Sequence, residues 1–170
     1  MKITSYESYP GWIVLVCNLV PVAIYAIGAY VLAGFGVVVP VFYLLYCLWL
    51  EIRILRRSCA NCYYYDKVCG TGKGKLCAMF FKKGDPRAFA EKEVTWADVL
   101  PDFLVSVFPL VGGIILLIRD FSWPIVTMLV ILVALAFGGN AFIRGSLLCK
   151  HCEQGKMGCP AAKLFEGKNT

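Results

Sequence analysis

Apolar side chains fill four long stretches of the chain: Trp12 to Gly34, Val37 to Leu50, Phe103 to Ile118 and Trp123 to Ile143. Crossing the hydrocarbon core of a bilayer takes roughly 17–25 helical residues. The first and last stretches reach that length unaided. The second reaches it if its helix continues through Glu51 to about Leu55. The third does so if its helix starts near Val99 and keeps Asp102 at the interface. The pattern therefore predicts an all-α integral membrane protein with four transmembrane helices. The first stretch is longer than the apolar run of roughly 7–15 residues typical of a signal peptide, so it is expected to be a retained helix.

Composition agrees. Of 170 residues, 59 % are hydrophobic and only 16 % charged, whereas a soluble domain carries about 25 % charged residues. A soluble chain with four such stretches would have too little polar surface to cover them. The charges are also unevenly placed. Ten Lys and Arg lie between Arg53 and Lys92, five from Arg144 onward, and Lys2 near the start; Arg119 alone falls in a turn on the other side. Basic residues flanking membrane segments mark the cytoplasmic side. Both termini and the long central loop are thus expected in the cytoplasm. The net charge of +6 is read as an orienting signal that attracts anionic lipid heads, not as a nucleic-acid surface. A channel or transporter is disfavoured, because few ionisable groups stand at mid-depth.

The two halves resemble one another. Val16-Cys17-Asn18-Leu19-Val20-Pro21 aligns with Leu104-Val105-Ser106-Val107-Phe108-Pro109, and Pro40 and Pro124 recur near the starts of the following helices. Cys59-x2-Cys62-x6-Cys69 is matched by Cys149-x2-Cys152-x6-Cys159. A tandem two-helix repeat follows, residues 1–95 and 96–170. Each half has an even number of spans, so the repeat is parallel, about an axis along the membrane normal, and both cysteine sets share a face. Pro21 and Pro109 each remove a helical hydrogen bond. Asn18 and Ser106, three residues earlier in each case, are the nearby donors expected to compensate.

Seven of the nine cysteines lie outside the apolar stretches. Cytosolic thiols are kept reduced, so clusters there point to metal more than to disulfides. Thiolates suit zinc and iron–sulfur clusters. The candidate ligands are Cys59, Cys62, Cys69 and Cys77 in the first set, and Cys149, Cys152 and Cys159 in the second. His151, the only histidine, lies inside the second CxxC, where direct ligation is sterically awkward; a supporting donor role is the alternative. Two three-cysteine sites, two differently completed sites and one larger shared site all remain open. Structural zinc normally completes four protein ligands, which the second set lacks without His151. Cys159-Pro160 resembles the end of the bacterial ferredoxin motif, although the remainder of that spacing is missing. Cys17 and Cys47 are expected to pack inside helices as small apolar residues.

Glu51 is either a proton-handling carboxylate or an interfacial partner of Arg53 or Arg56, and Asp102 has the same ambiguity. The run from Gly70 to Lys75 lacks phosphate-loop spacing, with Leu76 where Ser or Thr would stand; its glycines are expected to let the chain wrap a metal. Met79 to Val94 reads as a surface-lying segment with aromatic anchors. No Ser–His–Asp set, paired catalytic carboxylates or dinucleotide motif occurs. Two readings follow. One is a membrane-anchored electron-transfer protein whose iron–sulfur centres meet a soluble redox donor and a membrane partner subunit or quinone. The other is a non-catalytic scaffold with zinc-stabilised cytoplasmic docking loops.

Overall fold

The computed structural model describes residues 5–87 and 95–156. Among them all regular structure is helical. Four long helices carry the apolar stretches: α1 (Gly11–Leu32), α2 (Val38–Arg57), α4 (Trp96–Arg119) and α5 (Trp123–Val133), with the short α3 (Lys73–Phe80) between the second and third. The fourth span continues past α5 to His151, so four helices are long and apolar enough to cross a membrane. At most 22 % of the most apolar window of each is buried within the protein. Trp12, Leu15, Phe42, Leu48, Ile118 and Val130 are among the large apolar side chains left outward. Such surfaces are stable in hydrocarbon, where lipid tails take the place of a protein partner.

The helix bounds follow local chemistry. A short 3-10 turn (Ala33–Phe35) closes α1, and Gly36, at φ 105°, turns the chain into α2. α2 runs on through Glu51 to Arg57, as the length requirement predicts. Pro124 occupies the first turn of α5, where its missing N–H costs nothing. α4 begins at Trp96, three residues before the expected Val99, so Pro101 lies within its first turns and Asp102 is exposed on the helix. The fourth span departs from α geometry, with π-helical turns at Ala134–Gly139 and Ile143–Leu148. Asn140 Nδ2 donates to Ala136 O at 3.0 Å there, a side-chain bond that competes with the regular ladder.

The described residues form two compact units. One holds Leu19–Glu51 and Ala97–Ala141; the other holds the described residues of Met1–Asn18, Ile52–Trp96 and Phe142–Thr170. In the first, Ile24, Val31, Leu32, Tyr43, Cys47, Leu50, Val105, Leu129 and Leu132 make the core. Cys47 is buried there as expected. The compensation for the proline in α4 is not the expected one. Pro109 has no N–H for the carbonyl of Val105, four residues earlier. That carbonyl receives the hydroxyl of Tyr43, from α2, at 3.0 Å. Tyr43 fits because Gly28 has no side chain: a Cβ there would stand 2.6 Å from the Tyr43 Cζ. Glu51 accepts the Tyr25 hydroxyl at 2.8 Å, a partner on α1 that sequence spacing does not suggest.

The second unit carries the cysteine motifs. Leu55, Ala60 and Cys77 form a small core, with Cys59, Tyr65 and Phe81 packed against it. Asn18 is engaged here and not in mending the Pro21 kink. Its Nδ2 donates to Val14 O at 2.7 Å and to Thr71 O at 3.0 Å, tying α1 to the first cysteine loop. Cys17 is buried, in keeping with a packing role.

Candidate thiol site

Each CxxC begins where a long helix ends and tightens into a single 3-10 turn, Cys59–Asn61 and Cys149–His151. The second cysteine closes each turn on the first: Cys62 N meets Cys59 O at 3.3 Å, and Cys152 N meets Cys149 O at 3.4 Å. Another turn follows in both, from Tyr65 N to Cys62 O at 3.0 Å and from Gly155 N to Cys152 O at 3.1 Å. One local conformation is thus used twice.

The two turns are bonded reciprocally. Tyr63 N donates to Gln154 Oε1 at 2.8 Å, and Glu153 N donates to the Tyr64 hydroxyl at 3.1 Å. Tyr64 and Gln154 are each 2 % exposed, so these bonds are shielded from water. The N-terminal segment ties both turns. Tyr6 N donates to His151 O at 3.1 Å and Tyr9 N to Val68 O at 2.9 Å. The Tyr64 hydroxyl donates to Tyr6 O at 2.6 Å and the Tyr9 hydroxyl to Leu148 O at 2.9 Å. The Ser5 hydroxyl meets the Glu153 carboxylate. Rings of Tyr6, Tyr9 and Tyr64 pack in sequence, with His151 against Tyr6 at 5.0 Å.

Between these elements lies a cleft of about 190 Å³ lined by Tyr9, Ser58, Cys59, Cys62, Tyr64, Cys69, Gly70, Thr71, Leu148 and Cys152. Four of the sequence-predicted ligands, three from the first motif and one from the second, therefore share one wall space. The first loop is folded tightly to bring Cys69 in. Gly72 has φ 70°, and a Cβ on Gly74 would run into the carbonyl oxygens of Tyr64 and Lys67. The same fold lets Gly74 N donate to Cys69 Sγ at 3.3 Å, with the Thr71 hydroxyl 3.4 Å from that sulfur. The glycine run thus shapes the cleft wall.

The remaining described candidates do not line the cleft. Cys77 is 0 % exposed, and its Sγ donates to Leu55 O at 3.3 Å. Burial pushes its thiol above the usual range, and the neighbouring Cys69 adds to this. Cys149 is exposed. His151 is half-buried beside Tyr6 and does not line the cleft. Cys159 lies outside the described residues, as does the part of the Met79 to Val94 segment from residue 88 to 94. Phe80 of that segment is exposed, while Phe81 packs beside Cys77.

Two tyrosines at the cleft are held neutral. Burial raises the Tyr9 phenol, and Cys152 and Tyr64 beside it raise it further. Tyr64 is pushed up to about 12, chiefly by burial, against the opposing pull of the Glu153 N–H. Chemically, soft sulfur donors and a backbone N–H aimed at one of them suit a thiolate-bound metal. Yet among the described residues no three His, Cys, Asp or Glu side chains form a group that could hold a metal ion.

Tyr9, Tyr64, Thr71, Leu148 and Gln154 were not singled out from sequence. The Tyr63-Tyr64-Tyr65 run directly after the first CxxC is a usable signal for one of them. Gln154 offers none, since its role depends on a residue ninety positions away. Comparison with known proteins matched no family model, no curated protein and no solved structure.

Proposed function

We propose that this protein is a membrane-anchored electron carrier, holding iron–sulfur chemistry in the thiol cleft at the cytoplasmic face. The carrying observation is that cysteines of both CxxC turns line one cleft. Cys59, Cys62, Cys69 and Cys152 would hold such a centre, which would supply one-electron chemistry between a soluble donor and a membrane quinone or partner subunit. Cytoplasmic placement is supported by the sequence distribution of basic residues, sixteen of the seventeen Lys and Arg falling outside the turns after the first and third spans. The tandem-repeat reading is supported by the paired 3-10 turns and their reciprocal bonds.

A zinc-stabilised docking platform is the rival reading. A single zinc ion holds sulfurs at about 2.3 Å, which demands a tight convergence of side chains. The described residues contain no such group of three. Anaerobic purification followed by iron, zinc and acid-labile sulfide analysis tests the proposal. Iron and sulfide in equal amounts, with visible absorption bleached by dithionite, is the expected result. Stoichiometric zinc without sulfide would overturn it.

A further inference from the structure

We infer that α3 is an in-plane membrane anchor: Leu76, Met79 and Phe80 enter the acyl boundary of the bilayer that the spans cross, and Lys75, Lys82 and Lys83 take anionic lipid head groups beside them. The surface is independent of the iron–sulfur reading above and needs only that the four long apolar helices cross a membrane. It also differs from the aromatic segment expected over Met79 to Val94. The anchoring face starts at Leu76 and excludes Phe81, which packs inward beside Cys77.

α3 is inverted relative to a helix that faces water. Its buried residues are the small Gly74 and Cys77, whereas Leu76, Met79 and Phe80 are 44 %, 76 % and 70 % exposed. A helix in water buries its large apolar side chains and shows polar ones. The three exposed residues stand at i, i+3 and i+4, which gathers them on one flank of roughly 100°. Among the described residues, the other exposed large apolar side chains outside the spans are Val37 and Phe121, in the turns that join spans.

The orientation is held from the inner side. Cys77 Sγ donates to Leu55 O at 3.3 Å, and a Cβ on Gly74 would run into the carbonyl oxygens of Tyr64 and Lys67. Past the helix, the Tyr65 hydroxyl donates to Phe81 O at 2.8 Å and Gly84 N donates to Ala60 O at 2.9 Å. Turning α3 to hide Phe80 would break the Cys77 contact and lift Gly74 off those carbonyls. The exposed flank is therefore built into the fold.

Leu55 sets the depth. It lies in the last turn of α2, three residues beyond Ile52, whose outward side chain is 47 % exposed. Three residues of helix advance only about 4.5 Å. α3 thus packs against the end of a span, at the level where acyl chains give way to head groups. An amphipathic helix at that level buries its apolar face about 5–10 Å into the boundary.

Charge selects the lipid. From Lys67 to Gly84 the chain carries five lysines and no Asp or Glu. Lys75, Lys82 and Lys83 are exposed, and their long stems let the ammonium groups reach head groups while the apolar flank lies deeper. An anionic membrane surface meets both parts of the face at once, with acyl chains for the flank and phosphates for the lysines.

The test uses the full chain in lipid nanodiscs, with a genetically encoded fluorescent amino acid replacing Phe80 or, separately, Met79. Lipids brominated in the upper acyl chain should quench both probes as they quench one at Phe42, an outward residue of α2, and aqueous iodide should leave both largely unquenched. A benzophenone amino acid at the same positions, irradiated in mixed phosphatidylcholine and phosphatidylglycerol, should form lipid adducts. Phosphatidylglycerol should be enriched about fivefold or more over its share, the order expected from the attraction of a single lysine. Lys75→Gln, Lys82→Gln and Lys83→Gln together should abolish the enrichment and keep the quenching by bromolipid. Protection of Cys77 from alkylation identifies folded variants, and a position that loses it is read from the other. Loss at both would show that the flank packs against protein and would overturn the proposal. Quenching by iodide without quenching by bromolipid would place the flank in water and overturn it as well. Adducts with a second copy or a co-purified protein in place of lipid would do the same. Enrichment unchanged in the triple variant would remove the lysines from the site.

Discussion

Tyr64 and Gln154 stand at the same place in the two cysteine motifs, two residues beyond the second cysteine, and each accepts the backbone N–H that immediately precedes the other. Glu153 N reaches the Tyr64 hydroxyl at 3.1 Å, and Tyr63 N reaches Gln154 Oε1 at 2.8 Å. Both side chains are buried, so neither N–H has water to fall back on. Tyr64→Phe leaves Glu153 N and Tyr6 O without this partner, and Gln154→Ala does the same to Tyr63 N. Each buried polar group left unmatched costs about 1–3 kcal/mol. Both variants should lower the denaturation midpoint of the cysteine-bearing unit, followed in detergent by the exposure of Cys77 to alkylation. Midpoints unchanged in both would show that the reciprocal bonds do not hold the turns.

The same hydroxyl makes the unit sensitive to alkali. Tyr64 is pushed up to about 12 when folded, from about 10 in an unfolded chain. A raised folded value means that the folded form keeps its proton longer. The contribution is complete below about pH 10 and is lost as pH climbs toward 12. The stability gap between the parent and Tyr64→Phe should therefore be constant from pH 7 to 9 and narrow above pH 10. Denaturation midpoints of the two proteins, measured side by side across this range, provide the check.

Gly28 and Tyr43 should behave as a coupled pair. Gly28→Ala forces the Tyr43 ring away and endangers its bond to the Val105 carbonyl that Pro109 leaves open. Overpacking of this kind costs about 1–3 kcal/mol. On a Tyr43→Phe background the same alanine should cost less, since the hydroxyl bond is already gone. A double-mutant cycle on unfolding in mixed micelles measures the coupling; strict additivity would refute the contact.

Thiol chemistry should rank the cysteines by place. In the metal-free protein Cys149 is exposed and should alkylate first, whereas Cys77, fully buried, should resist until the unit unfolds. The nucleophile is the thiolate, and the Cys77 thiol is raised by burial and by Cys69. Raising the pH from 7 to 9 should therefore leave Cys77 unlabelled. Mass spectrometry of peptides after timed maleimide treatment reads the order, and early modification of Cys77 would contradict it.

Orientation has its own test. Reporter fusions or single-cysteine labelling at Phe35 and Asp85 should report opposite sides, with Asp85 in the cytoplasm. Because Arg119 is the lone basic residue in the two turns on the far side, adding two or three lysines beside it should weaken or invert the preference. A periplasmic Asp85 in the parent would remove the reducing environment on which the metal reading depends.

The four helices long and apolar enough to cross a membrane are determined by the sequence itself. Hydropathy over twenty residues is a local property, and lipid requires the backbone of each span to satisfy itself as a helix. The turn at each CxxC is local too, since an i to i+3 bond needs only neighbouring residues. Hence Trp12 to Gly34 and Trp123 to Ile143 were legible, as were the continuation of α2 past Glu51 and the internal prolines. What sequence spacing assigned wrongly, or left open, depends on residues far apart along the chain. Asn18 lies three positions before Pro21, yet its amide reaches Thr71; Ser106 lies three before Pro109, yet the freed carbonyl meets Tyr43. Cys77 is nearer in sequence to Cys69 than Cys152 is, yet Cys152 lines the cleft and Cys77 faces Leu55. Which side chain points into a shared space is decided only when helices and loops are packed, because burial and hydrogen-bond satisfaction are settled across the whole unit at once.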